Sequence, residues 1–182
     1  TLVGFEGFEC SNFDDTILSP NGGYALFGND GNDFILSGQQ KDTVVGGGGS
    51  DTIFGGQQND SLAGGYFRPD SGEAADDNAT DYIIGGTGAD TAWAGQGDIM
   101  AGGNGNDFAY LPDGYADSGQ DSVIAMPNED GTTTNMTFDV WTSTVPGSQP
   151  IYLNCFEYTG YYTSPPCYAT GTLIATARGA VP

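Results

Sequence analysis

Aspartate residues recur along this chain at intervals of nine, and they are the residues with the clearest capacity for chemistry. With one gap and one interval of eight, the series runs through Asp33, Asp42, Asp51, Asp60, Asp81, Asp90, Asp98 and Asp107. Carboxylates are hard oxygen donors, and a regular series of them suits the binding of hard divalent cations. The elements that hold these side chains must therefore repeat with the same period.

Each aspartate closes a glycine-rich turn and precedes a three-residue apolar-centred strand, as in GGGGSDTIF at 46–54 and GGNGNDFAY at 102–110. A strand this short points one side chain inward. The predicted core residues are Ile35, Val44, Ile53, Leu62, Ile83, Met100 and Val123. Two strands and two turns make a coil of eighteen residues, which places Asp33 beside Asp51 and Asp42 beside Asp60. The pattern predicts an all-β parallel β-roll.

Stacked carboxylates need a cation. Two carboxylates ~4 Å apart repel by about 4 kcal/mol at an effective dielectric near 20, whereas a divalent cation that takes 6 to 8 oxygen ligands reverses the sign. Calcium is the predicted cofactor, and magnesium is less suitable because it requires a tighter octahedron and dehydrates reluctantly. The competing interpretations are a calcium-free glycine-rich solenoid and a disordered acidic linker.

The blocks resemble the repeat-in-toxin (RTX, hemolysin-type) family over about 110 residues, with the consensus Gly-Gly-x-Gly-x-Asp-x-apolar-x. The resemblance implies a right-handed β-roll that binds calcium between its turns. It assigns carbonyl ligands to the second and fourth positions of a block, where glycine also permits a positive φ. In the three complete blocks these positions are Gly47, Gly49, Gly86, Gly88, Gly103 and Gly105.

Several positions depart from the consensus, and each departure predicts an altered site. Tyr24 stands where an aspartate is expected, and Gln40 and Gln58 replace fourth-position glycines. The block at 94–101 is one residue short just before Asp98, which predicts a tightened turn, a displaced carboxylate and an irregular site. Sites beside Asp90 and Asp107 are expected to be the best formed.

The chain divides into a flank at 1–12, a β-roll at 13–124 and a small β-rich cap or linker at 125–166. An insertion at about 66–80 interrupts the roll and is expected to form a surface loop. Trp93 and Tyr110 occupy matching positions of neighbouring coils. This pair predicts either a ligand platform or a surface covered by the cap.

Residues 167–182 resemble the start of a Hint domain, the self-processing module of hedgehog proteins and inteins. The resemblance implies that Cys167 attacks the Pro166 carbonyl. The chain lacks the family's Thr-x-x-His block, so no catalysis is expected within 1–182. The alternative is an ordinary strand cysteine bridged to Cys155; with Cys10 the cysteine count is odd, which allows at most one intramolecular disulfide.

Composition excludes several classes of function. Lys+Arg number 3 against 24 Asp+Glu, a net charge of −21, which opposes binding to nucleic acid or to an anionic membrane surface. No apolar run approaches the ~18 residues of a membrane span. The chain has no histidine, which excludes a serine triad and a thermolysin-like zinc site. Calcium ions are the predicted partners, and the sequence does not identify a protein partner.

These observations predict a non-catalytic calcium-binding segment of a secreted or cell-surface protein, which folds on meeting extracellular calcium. The family resemblance implies type I secretion from a bacterium. Two alternatives remain open for the parent protein. One is a secreted enzyme or self-processing Hint protein that uses this segment as a carrier, and the other is a surface-layer or adhesive structural protein.

Overall fold

A computed structural model describes residues 7–19, 21, 23–68, 73–75, 77–111, 115–154, 158–159 and 162–163. Every regular element in these residues is a β-strand, which confirms the predicted all-β class. The described part of the chain contains no helix able to cross a membrane. In chain order the strands are β1 (Gly7–Glu9), β2 (Thr16–Leu18), β3 (Ala25–Asp30), β4 (Phe34–Leu36), β5 (Thr43–Gly48), β6 (Thr52–Gln57), β7 (Ser61–Ala63), β8 (Tyr66–Arg68), β9 (Glu73–Ala75), β10 (Tyr82–Thr87), β11 (Thr91–Trp93), β12 (Ile99–Asn104), β13 (Phe108–Tyr110), β14 (Tyr115–Pro127), β15 (Thr133–Ser143), β16 (Ile151–Asn154), β17 (Tyr158–Thr159) and β18 (Tyr162–Thr163).

The chain alternates between two sheets and thereby winds into a roll. The first sheet has the order β1-β3-β5-β7-β11-β13-β17-β18, and the second has the order β14-β15-β16-β12-β10-β6-β4-β2. Repeat strands pair in parallel and in register, with Ile35 opposite Ile53 and Ile53 opposite Ile83. The Ile35–Ile53 pair is eighteen residues apart, which confirms the predicted coil and the parallel β-roll.

Six of the seven predicted core residues are completely buried and line one continuous cluster inside the roll: Ile35, Val44, Ile53, Leu62, Ile83 and Met100. Val123 was predicted to join them, and this prediction is wrong, because its side chain is 68% exposed. Val123 lies in β14, which pairs antiparallel with β15 instead of forming a coil. The alternation of that strand buries Met126 and turns Val123 outward.

Strands β14 to β16 cover the roll beyond its last complete coil. Strand β16 pairs in parallel with β12, and β15 returns antiparallel beside it. From β15, Trp141 packs in the same core cluster as the small residues Ala92 and Ala109. The hairpin also places Met126 and Phe138 in a second apolar cluster with Ile99 and Ala101.

The insertion predicted at about 66–80 contains regular structure. Strands β8 and β9 pair antiparallel and form a short hairpin between β7 and β10. The parallel register continues across this hairpin, since β7 pairs with β11 and β6 pairs with β10. The roll therefore accommodates the extra residues without losing its stacking.

Candidate metal centre

The turns of the roll form two edges, and each edge carries one column of aspartates. We call the turns from the first to the second sheet the first edge, and the returning turns the second edge. The first-edge column is Asp15, Asp33, Asp51, Asp81 and Asp98, and the second-edge column is Tyr24, Asp42, Asp60, Asp90 and Asp107. The predicted neighbours Asp33 and Asp51, and Asp42 and Asp60, are thus brought together.

Hydrogen bonds connect each column from coil to coil. From Asp33 on the first edge and Asp42 on the second, the Oδ1 atom of each aspartate accepts the backbone N–H of the equivalent residue in the preceding coil. Asp51 Oδ1 accepts from Asp33 N at 2.7 Å, and Asp60 Oδ1 accepts from Asp42 N at 2.8 Å. Because the main chain holds one oxygen of each carboxylate, the other oxygen has a fixed direction.

The eight aspartates predicted as ligands are all buried, with at most 2% of each residue exposed. A buried carboxylate oxygen without a partner is costly. Nevertheless, the second oxygen, Oδ2, has no hydrogen-bond partner in Asp33, Asp42, Asp51, Asp60 and Asp90. These oxygens are acceptors held in place for a group that carries positive charge.

The same burial changes the acidity of these groups. Burial raises the pKa of Asp51 and of Asp60 to about 8, against the opposing hydrogen bond from the preceding coil. Neighbouring carboxylates of the same column raise both pKa values further. Burial also raises the pKa of Asp33, Asp42 and Asp90. The folded roll without a cation therefore disfavours ionised carboxylates at these positions.

Glycine at the first position of a block makes room for the unpartnered oxygen. A Cβ atom on Gly28 would lie 2.0 Å from Asp33 Oδ2, and one on Gly46 would lie 2.1 Å from Asp51 Oδ2. Both distances are far shorter than a van der Waals contact. The role of these first-position glycines was missed in the sequence, although their regular spacing was visible.

Glycines at the second and fourth positions adopt the positive φ that was predicted for them. The φ values are 119° at Gly47, 114° at Gly49, 107° at Gly86, 147° at Gly88, 105° at Gly103 and 156° at Gly105. These residues also lie directly against main-chain oxygens of the preceding coil; a Cβ on Gly47 would come within 1.8 Å of Asn29 O. At the fourth position Gln58 adopts φ 68°, a strained conformation for a residue with a side chain.

The donor set suits a hard cation. No group of three or more His, Cys, Asp or Glu side chains converges on one point in the described ranges. A cation held beside a column must then combine carboxylate oxygens with main-chain oxygens or water. Calcium accepts this mixture, because it takes carboxylates, backbone carbonyls and waters together. The buried oxygens without partners and the stacked turn carbonyls therefore fit calcium.

Two predicted irregularities have a defined structure. Tyr24 leaves the second edge without a carboxylate at its start, but its N–H still donates to Asp42 Oδ1 at 2.7 Å and its ring packs against Phe8. Asp98 was predicted to be displaced, and this is wrong: it is buried and its Oδ1 accepts from Asp81 N at 3.1 Å. The turn is one residue shorter, but it still places Asp98 in the column.

Other predicted features lie away from the two columns. Trp93 and Tyr110 stack with ring centroids 5.4 Å apart and planes 13° from parallel, and Tyr110 stays 46% exposed. Asp15, which was not predicted as a site residue, joins the first column, where its Oδ2 accepts from Ser11 Oγ at 2.7 Å. Cys155, Cys167 and the Hint-like segment at 167–182 lie outside the described residues.

A family model of the RTX calcium-binding nonapeptide repeat matches residues 27–62 and 76–109, in four copies. The matched ranges include the aspartate columns from Asp33 to Asp107 and omit the β8–β9 hairpin. Comparison with curated proteins and with solved structures gave no significant match. RTX nonapeptide repeats bind calcium ions. The two matched segments are therefore similar to RTX calcium-binding repeats, and in the structure they form successive coils of one β-roll.

Proposed function

We propose that this chain is the calcium-ordered segment of a secreted or cell-surface protein, and that it folds when it meets extracellular calcium. The observation that carries the proposal is the pair of buried aspartate columns in which Asp33, Asp42, Asp51, Asp60 and Asp90 each hold one oxygen without a hydrogen-bond partner. Five buried carboxylate oxygens without partners would destabilise a fold that binds no cation.

The energetic argument concerns the state of the carboxylates. At neutral pH an unfolded chain ionises them at little cost in water, but the metal-free roll must bury them either charged or protonated. Calcium, when bound, supplies the positive charge and the oxygen-binding capacity that these carboxylates lack. Since the columns exist only in the folded roll, the binding free energy contributes to folding.

The same argument supports an extracellular site of action. Extracellular calcium modules bind in the range of about 10⁻⁴ to 10⁻³ M, so they stay empty in the cytosol and fill outside the cell. A net charge of −21 also repels the unfolded chain from itself and keeps it extended until cations are present. Calcium availability would then determine where the chain folds.

Far-ultraviolet circular dichroism tests the proposal. We expect a largely unstructured chain in chelator and a gain of β signal in millimolar calcium, with a much smaller response to equal magnesium. Asp60→Asn should shift the calcium midpoint upwards, whereas Asp130→Asn, in an exposed turn of the β14–β15 hairpin, should leave it unchanged. An identical spectrum in chelator and in calcium would overturn the proposal.

The proposal assigns no catalytic role to residues 1–182. Thioester chemistry at Cys167 needs a proton-transfer group, and the chain contains no histidine to provide one. The carrier and adhesive roles of a larger parent protein are compatible with the same roll, and no contact among the described residues favours either of them.

A further inference from the structure

The turn at 94–98 differs from the regular first-edge turns that end at Asp33 and Asp51 in the hydrogen bonding of its aspartate. It is one residue shorter than a regular turn, but Asp98 keeps its place at the end of the first-edge column. Asp98 is fully buried, and its Oδ1 accepts from Asp81 N as the column requires. The difference lies in the second carboxylate oxygen.

Asp98 Oδ2 accepts a hydrogen bond of 2.6 Å from the backbone N–H of Gly95, within its own turn. On the same edge, the Oδ2 atoms of Asp33 and Asp51 have no hydrogen-bond partner. A backbone N–H that donates to a carboxylate stabilises its ionised form. In the short turn, the protein itself thus supplies the positive partner that the regular turns lack.

The main chain of this turn also departs from the pattern that suits a cation. In regular turns the second-position residue has a positive φ, between 76° at Asn29 and 119° at Gly47. Gly95 holds the second position of the short turn and is not among the positive-φ residues. Its peptide is therefore oriented differently, in agreement with an N–H that points at Asp98 Oδ2.

Neighbouring segments confine the short turn on both sides. A Cβ on Gly97 would lie 3.0 Å from Thr80 Oγ1, at the end of the insertion. On the other side, Gln149 N donates to Gln96 Oε1 at 3.2 Å, where the chain returns from the β14–β15 hairpin. The turn is packed between two non-repeat segments, and it ends the first-edge column.

We propose that the turn at 94–98 is a closed terminus of the first-edge calcium column. The Gly95 N–H takes the place of a calcium ion at Asp98 Oδ2, and this turn contributes no ion site of its own. This inference rests on the proposed calcium function, and it adds that one named turn of the roll does not bind a calcium ion. Ion sites on the first edge then end at Asp81.

Insertion of one asparagine between Gly97 and Asp98 tests this inference, because it restores the nine-residue spacing as AGQGND. Native mass spectrometry at saturating calcium counts the bound ions. We expect the insertion variant to bind one ion more than the wild-type chain, because the lengthened turn releases Asp98 Oδ2 from Gly95. The matched control, one asparagine inserted after Gly131 in the exposed β14–β15 turn, should leave the count unchanged.

A second variant decides the inference if the insertion prevents folding. Asp98→Asn should keep the wild-type ion count, whereas Asp51→Asn should lose at least one ion; circular dichroism in calcium checks that each variant is folded. Loss of an ion in folded Asp98→Asn would overturn the inference and leave the proposed function standing. A wild-type chain that binds no calcium would overturn both. In the calcium-loaded wild type the Gly95 N–H should be protected from hydrogen exchange, and rapid exchange would also contradict the inference.

Discussion

At the scale of single residues, the two carboxylate oxygens of each central aspartate have different roles. Oδ1 of Asp51 accepts the amide of the preceding coil, and Oδ2 has no hydrogen-bond partner. The first bond positions the carboxylate, and the second oxygen makes its ionisation costly in the metal-free roll. Burial therefore raises the pKa of Asp51 and Asp60 to about 8.

These raised pKa values predict opposite effects of pH with and without calcium. In chelator the folded roll keeps protons on Asp51 and Asp60 that the unfolded chain releases near pH ~3.9. The stability from these protons is fully present below about pH 4 and is lost as the pH rises through about 8. We expect more β signal at about pH 5 than at about pH 9 in chelator.

In calcium the trend should reverse, because calcium requires ionised carboxylates and its midpoint concentration rises as the pH falls. Circular dichroism over this pH range measures both trends. The double variant Asp51→Asn, Asp60→Asn removes both of these titrating groups and should flatten the chelator profile. A wild-type chelator profile that is already flat would contradict the prediction.

The periodicity predicted which aspartates stack, because an interval of eighteen residues leaves one register for Asp33 over Asp51. It did not predict how the oxygens are used. The need for glycine at Gly46 comes from the direction of Asp51 Oδ2, which depends on a side-chain conformation that spacing does not encode. Asp15 was not predicted as a site residue, because the turn before it contains no glycine repeat.

At the scale of elements, the insertion is joined to the roll by a side chain that replaces a main-chain group. In regular turns a fourth-position N–H donates to a carbonyl of the next coil, as Gly31 N does to Gly48 O at 2.7 Å. At the interrupted turn, Gly49 N donates instead to Asp77 Oδ2 at 2.7 Å. The Tyr66 hydroxyl donates to Asp30 and attaches the start of the hairpin to the same edge.

Asp77→Ala should destabilise the folded roll by about 1–3 kcal/mol, because it leaves the Gly49 N–H without its acceptor. Asp77→Asn keeps an acceptor oxygen and should cost clearly less. Urea unfolding in saturating calcium measures both variants. Equal losses for the two would show that the charge of Asp77, and not the hydrogen bond, is what matters.

The sequence indicated the insertion. It did not indicate that Asp77 joins the insertion to the roll, because Asp77 is one of several acidic residues in a segment without a repeat. Val123 was wrongly predicted to lie in the core of the roll. The stretch around Asp121 has the composition of a looser repeat, and only the pairing of β14 with β15 shows that it left the coil. Repeat reasoning fails where strands pair with partners outside the repeat.

At the scale of the whole molecule, the C-terminal strands complete the apolar core of the roll. The indole of Trp141 is 5% exposed and packs in the cluster that contains Ala92 and Ala109. Strand β16 extends the second sheet past β12, and β15 covers the next position. Repeat arrays need such terminal caps, because an uncovered last coil exposes apolar surface and free strand edges.

Trp141→Ala should cost about 3–5 kcal/mol, in the range of other buried large-to-small substitutions. We expect a higher calcium midpoint for folding and a less cooperative transition by circular dichroism. Trp141→Phe should be milder because it retains most of the buried volume. Trp93→Ala provides the control, since Trp93 lies on the outer face of the first sheet beside Tyr110. A larger effect for Trp93→Ala would mean that the cap is not part of the cooperative unit.

The placement of the two tryptophans gives the protein an intrinsic optical label. The chain contains only Trp93 and Trp141, and the second is enclosed by the core at the capped end of the roll. An indole that moves from water into such an interior emits at shorter wavelengths. With Trp93 replaced by phenylalanine, all tryptophan emission would come from Trp141 in the cap, so the closing of this end could be followed in time separately from the winding of the coils.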